Sequence, residues 1–344
     1  MIARARSRIR RLLQQVLRGS PSPEAGSLPM AFACGGGVGT LDRVEGAPLP
    51  VLRAFGWFSL PAMPRISLRT HDGRELAPLV VSRMQRPDVL AAGACAELFC
   101  GFRIDFLLQP AEQPLQLLID GRPVHDFAGT SRYATLEPHY QAFFTQDRVM
   151  GRDSIYGSGP PTDVSAEFKA FAGVASGKVL DFGCGNGDLL RFLLGRGAAA
   201  TGLELDEPRI RNVLGPDLAA HVALYPGGVP LPFADGLFDW VVSTEVIEHV
   251  PGIAGYVEEF ARMLRPGGHL LVTTPDITSI PSSFPAGCVP WHLLEATHVN
   301  FYTPQSVTRL FASHFDLEAT YCLGANRVNG WFVPGSIGAI FVRK

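Results

Sequence analysis

The chain has 344 residues, 47% of them hydrophobic and 18% charged, with a formal net charge of −2. That length accommodates two domains, and the composition fits packed globular structure rather than a disordered chain. A near-neutral balance excludes a strong general pull towards nucleic acid, and no apolar run approaches the length of a membrane span. Six cysteines stand scattered at 34, 95, 100, 184, 288 and 322 without a paired Cys-x-x-Cys spacing. They predict reduced thiols in a cytoplasmic setting, with neither a zinc site nor a disulfide frame.

Residues 1–18 carry Arg4, Arg6, Arg8, Arg10, Arg11 and Arg18 and no acid, with Ile9, Leu12, Leu13, Val16 and Leu17 at helical spacing. This predicts a basic amphipathic helix, either solvated or docked on a partner, or lying peripherally on an anionic inner membrane face. A Gly, Ser and Pro-rich linker runs to residue 30. Over 31–128, short apolar stretches (Val51–Leu60, Arg65–Arg69, Leu79–Ser82, Phe99–Leu108, Leu115–Ile119) alternate with turn signals at His71-Asp72-Gly73 and Asp120-Gly121-Arg122. They predict a mainly-β, sandwich-like domain. Gly35-Gly36-Gly37-Val38-Gly39 reads as a flexible turn, because no lysine or helix follows to make a phosphate loop. Residues 129–163, with Tyr133, Tyr140, Phe143 and Phe144, read as a partly packed connecting segment.

From 164 to 344 the pattern becomes strands alternating with helices. A helix is expected over Val164–Phe171, then strand 178–183, helix 187–195, strand 199–204, helix 206–213, a weakly marked strand at 221–225, strand 238–244, helix 253–264 and strand 269–274. A helix over Thr303–Phe315 and strands 317–323 and 335–343 complete it. Such alternation predicts an α/β, doubly wound Rossmann-like parallel sheet. Within it, Val179-Leu180-Asp181-Phe182 leads into Gly183-Cys184-Gly185-Asn186-Gly187 and then into a helix, a turn that brings bare backbone and free N–H groups up to a ligand. About twenty residues on, Glu204 ends the next strand, where an acid holds ribose hydroxyls. The third glycine comes one residue too early for a dinucleotide loop, and Asp181 would repel a pyrophosphate but attract a cation.

The wording Leu-Asp-Phe-Gly-Cys-Gly-Asn-Gly at 180–187 resembles motif I of the class I S-adenosylmethionine-dependent methyltransferases. Leu231-Pro232-Phe233-Ala234-Asp235, the strand end and helix start in Val241–Val250, and Leu264-Arg265-Pro266-Gly267-Gly268 resemble later motifs of that family in order. The resemblance implies a seven-stranded sheet with its last strand antiparallel and S-adenosylmethionine as cofactor. It implies Asp181, Gly183, Cys184, Gly185, Gly187, Glu204, Leu205 and Thr244 as cofactor contacts. The family's acid at the end of the third strand is missing from Tyr225-Pro226-Gly227-Gly228-Val229-Pro230, which leaves adenine to backbone groups or apolar packing. Phrases such as Phe55-Gly56-Trp57 and Cys100-Gly101-Phe102 are similar to β-rich accessory domains beside bacterial glycan-assembly enzymes.

Methyl transfer to oxygen needs alignment and a base or metal. Glu245, Glu248 and His249, at i, i+3 and i+4, are expected on one helix face. His249 and Glu248 are the candidate catalytic pair, with Glu245 at the acceptor. A divalent ion held by these groups with His292 or His298 is a less favoured alternative, and a purely structural His249 a third. Trp291, His298 and Tyr302 are candidate acceptor contacts. The leading expectation is methylation of a hydroxyl on a small molecule or glycan. The alternatives are a quinone-type phenol O-methyltransferase at the membrane surface and a non-catalytic scaffold.

Overall fold

A computed structural model describes residues 28–34, 37–46, 51–59, 63–108, 114–127, 164–205, 217–277, 297–324, 326–328, 331–333 and 335–344. The basic segment 1–18, the connecting segment 129–163, the expected helix at 206–213, and Trp291 and His292 lie outside the described residues. The described residues fall into two compact units, 28–127 and 164–344.

In the first unit the strands are β1 (Met30–Cys34), β2 (Gly37–Gly46), β3 (Val51–Phe58), β4 (Ile66–Thr70), β5 (Glu75–Leu76), β6 (Val80–Met84), β7 (Gly101–Leu107), β8 (Pro114–Ile119) and β9 (Arg122–Asp126), with helix α1 (Pro87–Ala91) after β6. They form two antiparallel groupings, β1-β2-β3-β7-β6 and β5-β4-β8-β9. Strand alternation decides which side chains meet. Phe102, Ile104 and Phe106 of β7 join Leu68 of β4 and Leu117 and Ile119 of β8 in one hydrophobic core. The intervening Arg103 and Asp105 face the other way and are also buried, with Arg103 Nη2 donating to Asp105 Oδ2 at 2.6 Å. Burial works against the Asp105 charge, yet Arg103 and Arg53 hold its carboxyl below the usual carboxylate range. The sequence pattern missed α1: Arg86-Pro87-Asp88 opens a helix because Pro87 suits its first turn and Arg86 closes on Asp88 and Asp42. Of the glycine run at 35–39, Gly37–Gly39 belongs to β2 and not to a flexible turn, and residues 35–36 lie outside the described residues.

The second unit contains α2 (Ala166–Ala172), β10 (Lys178–Phe182), α3 (Asp188–Gly195), β11 (Ala199–Leu205), β12 (Val222–Tyr225), β13 (Phe238–Thr244), α4 (Ile253–Met263), β14 (Leu264–Pro275), α5 (Pro304–Phe311), β15 (Phe315–Leu323), the short hairpin β16 (Asn326–Val328) and β17 (Trp331–Val333), and β18 (Ser336–Arg343). Its sheet runs β15-β18-β14-β13-β10-β11-β12. The strands from β12 through β14 pair in parallel, and β18 is antiparallel to both of its neighbours. This is a mixed α/β sheet of the Rossmann-like kind. The chain starts at β10, builds outward through β11 and β12, then returns to β13 on the other side. That reversal opens a crevice at the carboxyl ends of β10 and β13.

Helix α4 turns Val257, Phe260 and Ala261 to the core with Leu180, Phe182 and Val241 of the sheet. Full burial of each large side chain contributes roughly 1.5–3 kcal/mol. Helix α5 opens on a reciprocal cap between Thr303 and Ser306 and stops at Phe311, short of the expected Phe315. Phe315 pairs with Arg343 in the sheet instead, so a strand partner displaces the last helical turn.

Candidate active site

The glycine turn is built from left-handed backbone. Gly183, Gly185 and Gly187 have φ of 75°, 53° and 82°, a region that side chains enter only with strain. A Cβ on Gly183 would stand 2.5 Å from Val246 Cγ2, and one on Gly202 would stand 2.7 Å from Cys184 Sγ. Contrary to the expectation of free amides, the turn bonds its own N–H groups. Gly183 N and Cys184 N donate to Leu203 O, Gly185 N donates to Glu204 Oε2 at 2.8 Å, and Gly187 N donates to Cys184 O. The reason is the close approach of β11, whose Leu203 pairs with Phe182. The turn therefore presents a shaped backbone wall and not a nest of donors for a phosphate.

Asp181 is 1% exposed, and its Oδ2 has no hydrogen-bond partner. Burial first, and the Glu204 carboxylate second, push its carboxyl up to about 7. Cys184 turns its thiol inward, where burial followed by Asp181 and Glu204 raises its pKa. Its contribution at the surface of the turn is backbone. Leu205 is exposed at the end of β11, and Thr244 is half-buried at the end of β13, paired with Thr273.

The second turn follows β13. The expected helix face for Glu245, Glu248 and His249 does not form. Glu245 sits at φ 53°, Ile247–His249 makes one tight 3₁₀ turn, and α4 begins only after Gly252 at φ 67°. Pro251 disfavours helical backbone at Val250, which separates the short turn from the helix. Glu245 leaves part of its side chain at the surface while Thr273 and Ser336 hold its carboxyl and burial raises its pKa, and Glu248 is 2% exposed. Thr274 Oγ1 donates to Glu248 Oε2 at 2.9 Å. Burial, then the neighbouring Glu245 carboxylate, push the Glu248 carboxyl up to about 8.

His249 Nδ1 lies 3.1 Å from Thr297 O. A carbonyl only accepts, so Nδ1 carries the proton, and the lone pair of a neutral imidazole falls on Nε2. That Nε2 stands 3.9 Å from Glu248 Oε1. The His298 ring packs edge-on to His249 at 4.7 Å and is buried. One ligand atom from each of Glu248, His249 and His298 lies within 4.8 Å of the others. The tertiary structure thus joins His298 to the 248–249 pair, while Glu245, outside this group of donors, bonds Thr273 and Ser336 and stays close enough to act on Glu248.

Tyr302 lines one small pocket with Glu248, His298 and Asn300. It is buried, its hydroxyl donates to Ile247 O at 3.4 Å, and burial followed by Glu248 pushes its pKa up to about 12. Three supporting residues escaped the sequence reading. Asn300 Nδ2 donates to Ile247 O at 3.0 Å and to Val250 O at 2.8 Å, closing the tight turn. Thr274 anchors Glu248, and Tyr225 ends β12 where an acid was sought. Asn300 was findable, since His298, Asn300 and Tyr302 turn inward between exposed Val299 and Phe301 with the two-residue period of extended chain. The Tyr225 hydroxyl bonds Tyr256, whose oxygen accepts from Gly228 N at 3.0 Å.

A doubly wound sheet with a glycine turn and a carboxylate pair at its switch point defines a methyltransferase-type domain. Residues 161–320 match the family described as "Methyltransferase domain". The C-terminal unit belongs to the class I S-adenosylmethionine-dependent methyltransferases, a family whose cofactor is S-adenosylmethionine. Among its relatives is a ubiquinone biosynthesis O-methyltransferase of Pseudomonas aeruginosa, 36% identical over 107 residues that make up 30% of this chain and 46% of the relative. Another is the chloroplastic tocopherol O-methyltransferase of Arabidopsis thaliana, 33% identical over 135 residues, 37% of this chain and 38% of that one. The chain thus spans less than half the length of these curated relatives. A solved S-adenosylmethionine-dependent methyltransferase from Mesorhizobium loti is 20% identical, with a TM-score of 0.41 over 52% of this chain and 98% of that one.

Proposed function

We propose that the chain transfers the methyl group of S-adenosylmethionine to a hydroxyl oxygen of a small acceptor. The observation that carries this reading is Asp181, a buried carboxyl with a bare oxygen beside a glycine wall whose amides are already bonded. Such a site suits a cationic, phosphate-free cofactor and is wrong for a dinucleotide. Asp181 would hold the methionine end and Glu204 the ribose, with Gly183, Gly185, Leu205 and Thr244 lining the space between. Leu205 and the Gly227–Gly228 backbone would hold adenine. When bound, the sulfonium supplies an activated methyl group. The chain's own work is then to align the acceptor oxygen and remove its proton. His249 Nε2 accepts that proton, and Glu248 beside it balances the imidazolium. His298 and Glu245 border the acceptor, and Tyr302 with Asn300 holds the turn that aims His249.

Two relatives carry O-methyltransferase in their names, which supports an oxygen acceptor and favours a phenol over a sugar hydroxyl. Membrane access through residues 1–18 belongs to that phenolic reading. No described helix is long and apolar enough to cross a membrane. The glycan reading rests on the β-rich first unit, with its two antiparallel groupings on one core, and on Trp291.

Calorimetry with S-adenosylmethionine tests the cofactor site, with heat expected from the intact chain and little from Asp181→Ala. An intact chain that binds none would leave the scaffold reading. Phenolic and sugar acceptors are then compared by mass for a product heavier by one CH₂. A second reading is favoured by the donor atoms of Glu248, His249 and His298 lying within 4.8 Å of one another: a divalent cation that orients the acceptor oxygen. Turnover that survives EDTA excludes it, whereas loss restored by magnesium or manganese supports it.

A further inference from the structure

The first unit holds a pair of thiols that methyl transfer does not use. Cys100 immediately precedes β7. Its carbonyl accepts from Phe58 N at 2.9 Å, and its side chain packs with Trp57 and Val89. Cys95 lies in the turn after α1 and is more exposed. Glu97 N donates to Cys95 Sγ at 3.3 Å, and the Cys100 thiol hydrogen-bonds the same sulfur. Both cysteines line a cavity of about 160 Å³ with Met63, Phe99, Arg83 and Glu97. Arg83 and Glu97 pair at 3.6 Å with both side chains partly exposed, so the cavity has a polar, solvent-reached side. The volume is several times a water's share of the liquid, roughly 30 Å³, and admits a small polar oxidant. Other buried thiols are engaged differently: Cys34 donates to Asp120, and Cys184 is packed against Gly202.

We propose that Cys95 and Cys100 are a modification site, a dithiol that a small hydroperoxide entering this cavity converts to a reversible disulfide. Two sulfurs already in contact need little movement to reach a bond of about 2.05 Å. The more exposed Cys95, whose thiol donates to Glu97 O at 3.2 Å and whose sulfur accepts from Glu97 N, is the attacking group. Its sulfur attacks the distal oxygen of the hydroperoxide: an S–O bond forms, the O–O bond breaks, and the proximal oxygen leaves as the alcohol (or water) with the Cys95 proton. The Cys100 sulfur then attacks the sulfenic sulfur. The S–S bond forms, the S–O bond breaks, and water leaves with the Cys100 proton. Two electrons pass from the thiols to the peroxide, and a dithiol reductant reverses the change.

The test uses the reduced full-length protein with hydrogen peroxide, followed by alkylation and cleavage after glutamate. Cutting after Glu97 separates Cys95 from Cys100 unless the two are bonded. The expected product is a joined pair of fragments, about 2 Da lighter than their reduced sum, which dithiothreitol releases. Cys100→Ser is expected to stop at a Cys95 sulfenic acid that dimedone traps, and Cys95→Ser to lose the fast reaction at Cys100. Separate fragments with both thiols still alkylatable would overturn the proposal. So would a Cys95→Ser protein whose Cys100 oxidises as fast as in the parent.

Discussion

Two turns stand at the carboxyl ends of the neighbouring parallel strands β10 and β13, and they solve opposite problems. The 183–187 turn uses glycine wherever φ is positive and bonds the amides of Gly183, Cys184 and Gly185 to β11 and that of Gly187 within the turn. It is a wall, and beside it lies the buried, unpartnered oxygen of Asp181. The 245–249 turn puts a glutamate, Glu245, at positive φ and raises the pKa of a second, Glu248. Strain and charge gather there, as they do where chemistry rather than shape is needed. Val246 links the two, because its methyls fill the space that a Gly183 side chain would need.

The largest effect is expected at the reactive turn. Glu248→Gln keeps an acceptor for Thr274 but removes the titrating group. It should lower turnover by about 100- to 10,000-fold with S-adenosylhomocysteine affinity nearly unchanged, read by single-turnover kinetics beside calorimetry. Equal losses in rate and cofactor affinity would instead make Glu248 part of the wall. Gly183→Ala strikes the wall and, through Val246, its neighbour. A loss of roughly 1–3 kcal/mol in urea unfolding is expected, with weaker cofactor binding. An unchanged midpoint would show that the two turns are not packed as a unit.

Asp181 separates the turns by pH. Its folded carboxyl titrates near 7 against an ordinary value near 3.8. Between those values the folded state therefore holds more protons than the unfolded one. Stability of the cofactor-free protein should fall as pH rises from about 4 to about 7, and Asp181→Asn should reduce that slope, leaving the share that the raised Glu248 contributes. Cofactor affinity should run the other way, increasing towards neutral pH as the carboxylate forms to meet the cation. A pH-independent affinity in the parent would break the assignment of Asp181 to the cationic end. The smallest effect belongs to Glu245→Gly, which relieves the positive φ and should raise stability by about 1 kcal/mol or less in the same unfolding assay.

These contrasts explain why the first turn was legible and the second was not. Gly183, Gly185 and Gly187 announce a backbone conformation directly, and Glu204 follows at a distance set by one strand–helix–strand unit. Glu245, Glu248 and His249 carry helical spacing, but Pro251 and the strand partner at Thr273 decide their local backbone. Periodicity describes a helix that the tertiary structure replaces with one tight turn.

The sequence by itself determined the alternation of strands and helices, the glycine turn and its acid, and the family to which the second unit belongs, because each is written in local propensity and short spacing. Only the tertiary structure decided that the amides of the glycine turn are already bonded and that Asp181 is buried with a bare oxygen. It alone brought His298 from 49 residues away to His249 and turned Tyr302 towards the backbone of Ile247. Those outcomes depend on which strands lie side by side and how deeply a carboxyl is buried, and contacts between distant segments set both.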